Sequence, residues 1–351
     1  MHKSGEQILF TAGDIVNFLS CPHHTALDLA DLQAPLPKTE ANEELRLIQA
    51  KGALHESQYA KQLRKQHHGF VDIRDAGDGA RERIRATRQA MQAGADIIYQ
   101  PVLRDGCLTG TADFFRRIKR PSALGDWSYE VLDTKLAMSA RTRFVIQLAF
   151  YSKILAAVQG LLPARMHVVL GDGREKAYAF KNYNWYLERL LQRFFLQVQS
   201  ELEGCAKETS PEPRDHCEVC RWMEICEKQR QKADHLWQVA NIRKSQIRKL
   251  QGAGIHTMEA LAKMDPDMRI PGMAAGTLDT IQRQARLQVL AREQNENMLE
   301  HLPLVPGQKR GFERLPRPSE GDIFFDMEGN PLEEGGLEYL FGLCFLDHGK
   351  P

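Results

Sequence analysis

The sequence has no long hydrophobic run, no excess of charge of either sign and no internal repeat. A membrane-spanning helix needs about 18 apolar residues in succession; no window approaches that, so no segment reads as a bilayer span. The first sixteen residues, MHKSGEQILFTAGDIV, hold no apolar core and no small-residue cleavage site, which excludes a secretory signal peptide. The expected compartment is the cytoplasm, where disulfides are rare. With 47 basic and 46 acidic residues the net charge is +1. Bulk electrostatics thus draws no polyanion to the chain, and any nucleic-acid surface has to be local. Residues 228–250 offer one, with seven Lys or Arg against a single Asp.

At 351 residues, length alone implies two or three domains. A hydrophobic share of 42% with 26% charged residues is that of a soluble globular protein able to bury a core without disulfides. The seven cysteines therefore need another role. Cys107, Cys205 and Cys344 are scattered and read as small buried hydrophobes. Cys21, Cys217, Cys220 and Cys226 are not scattered.

Patterning divides the chain. Thr11 reads as the N-cap of a helix over 10–32, with Ile15, Phe18 and Leu19 at helical spacing and Cys21-Pro22 following. Residues 41–66 and 80–93 are helical in pattern. The period then shortens: Ile97–Leu103, Leu108–Ile118 and Tyr129–Thr134 read as a three-strand meander, with Arg104-Asp105-Gly106 as a hairpin turn. A helix over 141–159 follows, then strands over 165–170 and 176–181 around Gly171-Asp172-Gly173. Trp185–Glu203 is helical, with Leu187, Leu190, Leu191, Phe194, Val198 and Leu202 on one face. After Cys226 the chain is helical and basic to about 300. Pro303, Pro306, Pro316 and Pro318 mark a linker, and Asp322–Asp326 and Leu337–Leu346 read as strands of a new domain. Some 33 residues are too few for such a domain, so the chain is expected to be the front part of a longer protein.

The chemistry concentrates on the meander. Asp113 ends the segment Leu108–Asp113, and Asp133 and Lys135 lie two residues apart, on one face if the strand continues. If the two strands pair, two carboxylates and an ammonium share a site. Carboxylates suit Mg²⁺ or Mn²⁺, and a lysine can orient water or steady developing negative charge. Taken alone, Asp-x-Lys is more often a surface pair on a strand edge. Upstream lies Gly52-Ala53-Leu54-His55 on a helix; downstream, Gln147 and Tyr151 project from one helix face at i and i+4. By themselves these read as a helix-surface histidine and the polar flank of a packed helix.

Together and in this order, Gly52…His55, Gly110…Asp113, Asp133…Lys135 and Gln147…Tyr151 resemble the RecB-type branch of the PD-(D/E)XK nucleases. That family runs G-x-x-H on a helix, G-x-x-D on a strand, (D/E)-x-K on the next strand, then Q-x-x-x-Y. Asp133 stands where most members have Glu. The resemblance implies an α/β, restriction-endonuclease-like core in which His55, Asp113 and Asp133 ligate metal. The Thr134 carbonyl would be a further ligand, Lys135 would be catalytic, and Gln147 and Tyr151 would position DNA or the lysine.

Cys217-x2-Cys220-x5-Cys226 supplies three soft ligands and needs a fourth, for which Cys21 is the best candidate. The residues leave zinc and a [4Fe–4S] cluster open, with His216 as a bystander. One early cysteine paired with a late C-x2-C-x5-C resembles the iron–sulfur RecB-type nucleases, among them AddB and the CRISPR-associated pre-spacer nucleases, and implies the cluster. It would close a loop of nearly 200 residues around the core and restrict the unfolded chain.

Residues 245–290 read either as a helical linker with a solvated basic face or as a unit that resembles a helix-hairpin-helix. In the second case Arg243, Lys244, Arg248 and Lys249 are the phosphate contacts. Phe324–Gly329, with Asp326 and Glu328 as metal ligands, resembles the opening of RNase H-like DEDD exonucleases. The expected organisation is a nuclease domain with its iron–sulfur clip over 1–233, a helical segment over 234–300, a linker over 301–318 and a truncated RNase H-like start over 319–351. The expected activity is Mg²⁺- or Mn²⁺-dependent hydrolysis of DNA, single-stranded or end-exposed and more in exonuclease than endonuclease mode, serving repair, recombination or defence. The full-length chain could carry a helicase as well. An inactive DNA-binding scaffold and a zinc-bound interaction domain are the rival readings.

Overall fold

The computed structural model describes residues 1–205, 209–303, 307–308, 311–317, 319, 321–330 and 336–345. Pro306 and Pro318 of the expected linker, and Leu346 of the expected last strand, lie outside the described residues.

A short hairpin, β1 (His2–Ser4) and β2 (Gln7–Leu9), precedes the first helix. Thr11 caps α1 (Ala12–Ser20) in a capping box with Asp14, and Pro22 begins α2 (Pro22–Gln33). Between them Cys21 is extended, at φ −155° and ψ 107°, because a residue before proline is driven out of the helical region. The one helix expected over 10–32 is therefore two, with Cys21 at the break. Next come α3 (Glu43–Gln66), β3 (Phe70–Asp72) and α4 (Ala80–Gln92).

The expected meander is reorganised. Gln100 takes a left-handed φ of 54° and Pro101 follows it, so the strand expected over 97–103 breaks into β4 (Ile97–Tyr99) and β5 (Val102–Asp105). Opposite that break the strand expected over 108–118 divides into β6 (Leu108–Thr111) and β7 (Phe114–Ile118). β5 and β6 form a two-stranded sheet of their own. The chain continues through β8 (Ser128–Thr134), α5 (Thr142–Gln159), β9 (Arg165–Val169), β10 (Glu175–Ala179) and α6 (Lys181–Leu202). The main sheet is mixed and six-stranded, in the order β10-β9-β8-β7-β4-β3. β3/β4 and β8/β9 are parallel pairs, and the other neighbours are antiparallel. The architecture is α/β.

Both faces of this sheet are covered, and the two-residue strand period sorts its side chains between them. Ile97, Tyr99, Phe114, Leu132 and Val169 pack with Ala60 and Leu63 of α3. Ile98, Phe115, Tyr129, Val131 and Val168 belong to the larger core with α1, α5 and α6. All seven residues of β8 are buried, as expected of a central strand sandwiched between helices. Leu202 is the exception on the apolar face of α6, at 50% exposure.

Farther along are α7 (Met223–Lys232), α8 (Lys244–Gly252), α9 (Met258–Ala262) and α10 (Ala275–Gln294). The last three, with Leu236 and Val239, enclose a separate apolar core. Gly254 (φ 83°) and Gly272 (φ 72°) make the left-handed turns that reverse the chain between these helices. β11 (Ile323–Asn330) and β12 (Leu337–Phe345) pair antiparallel and are exposed along almost their whole length. Among the described residues no helix is long and apolar enough to cross a membrane.

Candidate functional site

Strand register brings the two expected carboxylates together. Phe114 pairs with Leu132 across β7 and β8, so the next positions outward, Asp113 and Asp133, are neighbours. They share the parity of Phe115 and Val131, hence the face that α5 covers. The two carboxyls lie within hydrogen-bonding reach of each other. Asp113 Oδ2 accepts from the Thr134 amide at 2.8 Å and the Thr134 hydroxyl at 2.9 Å. Asp133 is fully buried. Its Oδ2 meets the Lys135 ammonium as an ion pair. Burial first, and the Asp113 charge second, push the Asp133 carboxyl well above the usual carboxylate range. Burial opposes the Lys135 charge, yet Asp133, Asp113 and Glu56 together hold its pKa above the ordinary lysine value.

α5 supplies the next layer. Gln147 Nε2 approaches Asp133 Oδ1 at 3.5 Å, and Gln147 also hydrogen-bonds the Tyr151 side chain. Burial, then the two aspartates, raise the Tyr151 pKa. Gly110 makes room for this tyrosine: a Cβ there would stand 2.8 Å from Tyr151 Cε1. The loop after Lys135 is fixed from the other side. The Lys135 amide donates to the Val169 carbonyl at 2.8 Å, and a Cβ on Gly171 would lie 2.1 Å from the Leu136 carbonyl oxygen. Gly171 thus allows a backbone approach that no other residue permits.

From α3, Glu56 reaches the site. Its carboxyl is raised by burial and by the Asp113 charge, with Tyr99, Gln100 and Lys135 offsetting part of the rise. Tyr99 and Gln100 both hydrogen-bond it. Gln100 also donates its backbone amide to the Asp113 carbonyl at 2.8 Å. The left-handed residue that breaks the strand therefore ties Glu56 to Asp113; uncommon backbone conformations gather at such sites. His55, the expected ligand, precedes Glu56, and its buried Nε2 makes no hydrogen bond. Among the described residues, neither His55 nor Glu56 brings a donor atom within 4.8 Å of both aspartates. Asp113 and Asp133 make a two-carboxylate site with Glu56 at its rim. That suits Mg²⁺, which commonly takes one or two carboxylates and keeps several waters.

The four cysteines also converge. Cys21 sits at the α1–α2 break, Cys217 and Cys220 on the turn Asp215–Val219 and just after it, and Cys226 on α7. The Cys226 thiol is pushed up to about 11 by burial and then by the charges of Cys220, Cys21 and Cys217. Burial also raises the Cys21 pKa, and Cys217 adds to the rise. Backbone amides of Arg214 and Trp222 point at Cys217 Sγ and Cys220 Sγ, each at 3.4 Å. Four thiols gathered in this way, with amides aimed at two sulfurs, fit a [4Fe–4S] cluster, whose sulfurs take such hydrogen bonds. Behind them Trp222 and Asp28 are buried, the Trp222 indole donating to Asp28 Oδ1 at 2.7 Å.

The remaining expected contacts are less open. Lys244 pairs with Glu212 and Lys249 bonds the Gly272 carbonyl. The Arg243 amide is occupied by Gln246 at 2.7 Å, and Arg248 is exposed on α8. Asp326 and Glu328 lie on the exposed β11 hairpin, far from burial. Sequence reasoning assigned no role to Glu56, Tyr99 or Gln100, nor to His24 and Asp28 beside the cysteines. Glu56 adjoins the motif histidine, and His24 stands three residues after Cys21; these were the available signals. Comparison with protein-family models and with curated proteins finds no match.

Proposed function

We propose that this chain is a metal-dependent nuclease of the PD-(D/E)XK, RecB type, stapled by a [4Fe–4S] cluster on Cys21, Cys217, Cys220 and Cys226. One observation carries the reading: Asp113 and Asp133 adjoin on one sheet face with Lys135 ion-paired between protein and solvent. The element types agree with the motif order. Gly52 and His55 are on a helix, Gly110 and Asp113 at a strand end, Asp133 on the next strand, and Gln147 and Tyr151 on the helix that covers it. Bound Mg²⁺ or Mn²⁺ would supply an activated water and neutralise charge on a phosphodiester. Asp113 and Asp133 would hold it, beside the Lys135 ammonium.

The protein's own groups do the rest. Lys135, half-way out of the buried pair at 20% side-chain exposure, can turn its ammonium from Asp133 toward a phosphoryl oxygen and steady the charge that develops there. Gln147 fixes the Asp133 carboxylate, Tyr151 walls the site, and Thr134 orients Asp113. DNA is the proposed substrate, with the α8–α10 helices as a second contact through Arg243 and Arg248. The test is cleavage of end-labelled single-stranded DNA with Mg²⁺ or Mn²⁺. Wild type should cut, and Lys135→Ala should lose on the order of 10²–10³ in rate, as for removal of one electrostatic stabiliser. Equal cleavage by the two proteins, or none by wild type, overturns the proposal.

A further inference from the structure

A cavity that shares no residue with the carboxylate site opens between α2, α6, α7 and the turn Leu236–Gln238. Its volume of about 420 Å³ is within the range of small-molecule sites. Its polar side chains offer mostly donors. Arg230, half-buried on α7, gives Nη1 to the Pro211 carbonyl at 3.0 Å, and its guanidinium makes no ion pair among the described residues. A guanidinium with N–H groups to spare suits a phosphate, which it can grip bidentately. His235 Nδ1 accepts from the Trp237 amide at 3.0 Å. The neutral ring therefore carries its proton on Nε2, which meets no acceptor among the described residues. Buried His23 holds Gln229 from behind: its Nε2 donates to Gln229 Oε1 at 3.1 Å, and its Nδ1 accepts from the Thr209 hydroxyl at 2.7 Å. The Gln229 amide hydrogens stay available. The rings of Trp237 and His235 are nearly parallel, at 16° with centroids 6.4 Å apart, and form an aromatic wall. Glu201 on α6 is the one carboxylate among the described lining residues, and Gln197 reaches it only at 3.5 Å.

We propose that this cavity binds a single nucleotide unit, with its phosphate on Arg230 and its base on Trp237. The guanidinium takes two phosphate oxygens, and the Gln229 amide and the His235 Nε2–H complete the anion's shell. An aromatic wall beside a cation is what a base with its phosphate needs, because every base has a face to stack on an indole. Glu201 accepts from an exocyclic amino group such as that of cytosine, so a cytosine nucleotide binds better than a thymine one. A free mononucleotide and a unit of a single strand present the same chemistry. The site uses none of the carboxylates or cysteines of the proposed nuclease, and its test involves no cleavage.

The experiment is calorimetric titration of the full chain, as purified and in EDTA, with dCMP. One molecule per chain is expected. Deoxycytidine, inorganic phosphate and dTMP should each bind more weakly, dTMP by roughly fivefold or more for the lost amino contact. Arg230→Gln should weaken dCMP binding by at least about tenfold, and Trp237→Leu by roughly 5–150-fold, the range for one stacked base. Circular dichroism reports folding of both variants, and Arg230→Gln decides the matter alone if Trp237→Leu fails to fold. Displacement of bound dCMP by a short oligodeoxycytidine identifies the strand as the source of the unit; dCMP binding that the strand does not displace identifies the free nucleotide. No dCMP binding, equal binding of deoxycytidine, inorganic phosphate or dTMP, or full affinity in a folded Arg230→Gln protein overturns the site.

Discussion

Two glycines of the nuclease-like motifs should respond to alanine with opposite signs. Gly110 lies on β6 beneath Tyr151, and its new methyl would meet Cε1 at 2.8 Å. That is no flexible tip: Tyr151 is buried at 9% exposure and packs edge-on against Phe150 with centroids 5.8 Å apart. Overpacking of this kind costs about 1–3 kcal/mol. Against it, alanine reduces the freedom of the unfolded chain by about 0.4–1 kcal/mol. The net is a destabilisation of roughly 0.5–2 kcal/mol, or a drop in Tm of about 1–8 °C for a unit of this size. Gly52 is the control. It lies inside α3, and a Cβ added there would meet nothing within 4 Å, so Gly52→Ala should stabilise by about 0.5–1 kcal/mol. Thermal and urea melts of both variants, and of Gly110→Ala combined with Tyr151→Leu, decide the matter. If the clash is the cause, the double variant recovers most of the Gly110→Ala loss relative to Tyr151→Leu alone. A neutral Gly110→Ala, or a double variant with purely additive losses, would refute the steric argument.

Three further outcomes follow from particular contacts. Glu175 is held down to about 2 by its hydrogen bonds to His167 and Arg116, from an ordinary value of 4.5. Its contribution is complete above pH 4.5 and disappears as pH falls toward 2; Glu175→Gln should therefore lower Tm near neutrality and flatten its acid dependence across that window. If the proposed cluster is present, the purified protein is brown, and Cys226→Ser should bleach it and lower melting temperature and solubility, because a structural metal centre contributes folding free energy directly. Lys135→Ala should keep the colour, and a colourless Lys135→Ala protein would show that the two centres are coupled. Asp28→Ala leaves the buried Trp222 indole without its 2.7 Å acceptor and should cost about 1–3 kcal/mol, measured by chemical denaturation; a loss below ~0.5 kcal/mol means that water replaces the carboxylate.

What was legible in the sequence follows the strand period. Asp133 and Lys135 share a face because the period is two, and Asp113 joins them once β7 and β8 pair, so order and spacing were enough to find this pair of carboxylates. Cys21 was legible for a different reason: three closely spaced late thiols called for a fourth, whereas the helix break that sets it at a turn was not expected. The strand break at Gln100 was not legible, because a left-handed glutamine carries no pattern of its own; its cause is tertiary, the pull of Glu56 and of the Asp113 carbonyl on one residue. The same break turned a meander expected in one sheet into a main sheet and a separate β5–β6 ribbon. On α3 the histidine of the motif attracted the assignment, while its neighbour Glu56, which no motif marks, also reaches the site. Glu56 lies four and seven residues before Ala60 and Leu63, so it shares their face. His55 lies four residues before Tyr59, which packs on the same core, and its Nε2 is buried. On the basic run around α8, Lys244 and Lys249 are engaged by Glu212 and by the Gly272 carbonyl, while Arg248 is exposed. DNA would have to displace those partners first, which leaves Arg248 as the more available cation on that helix.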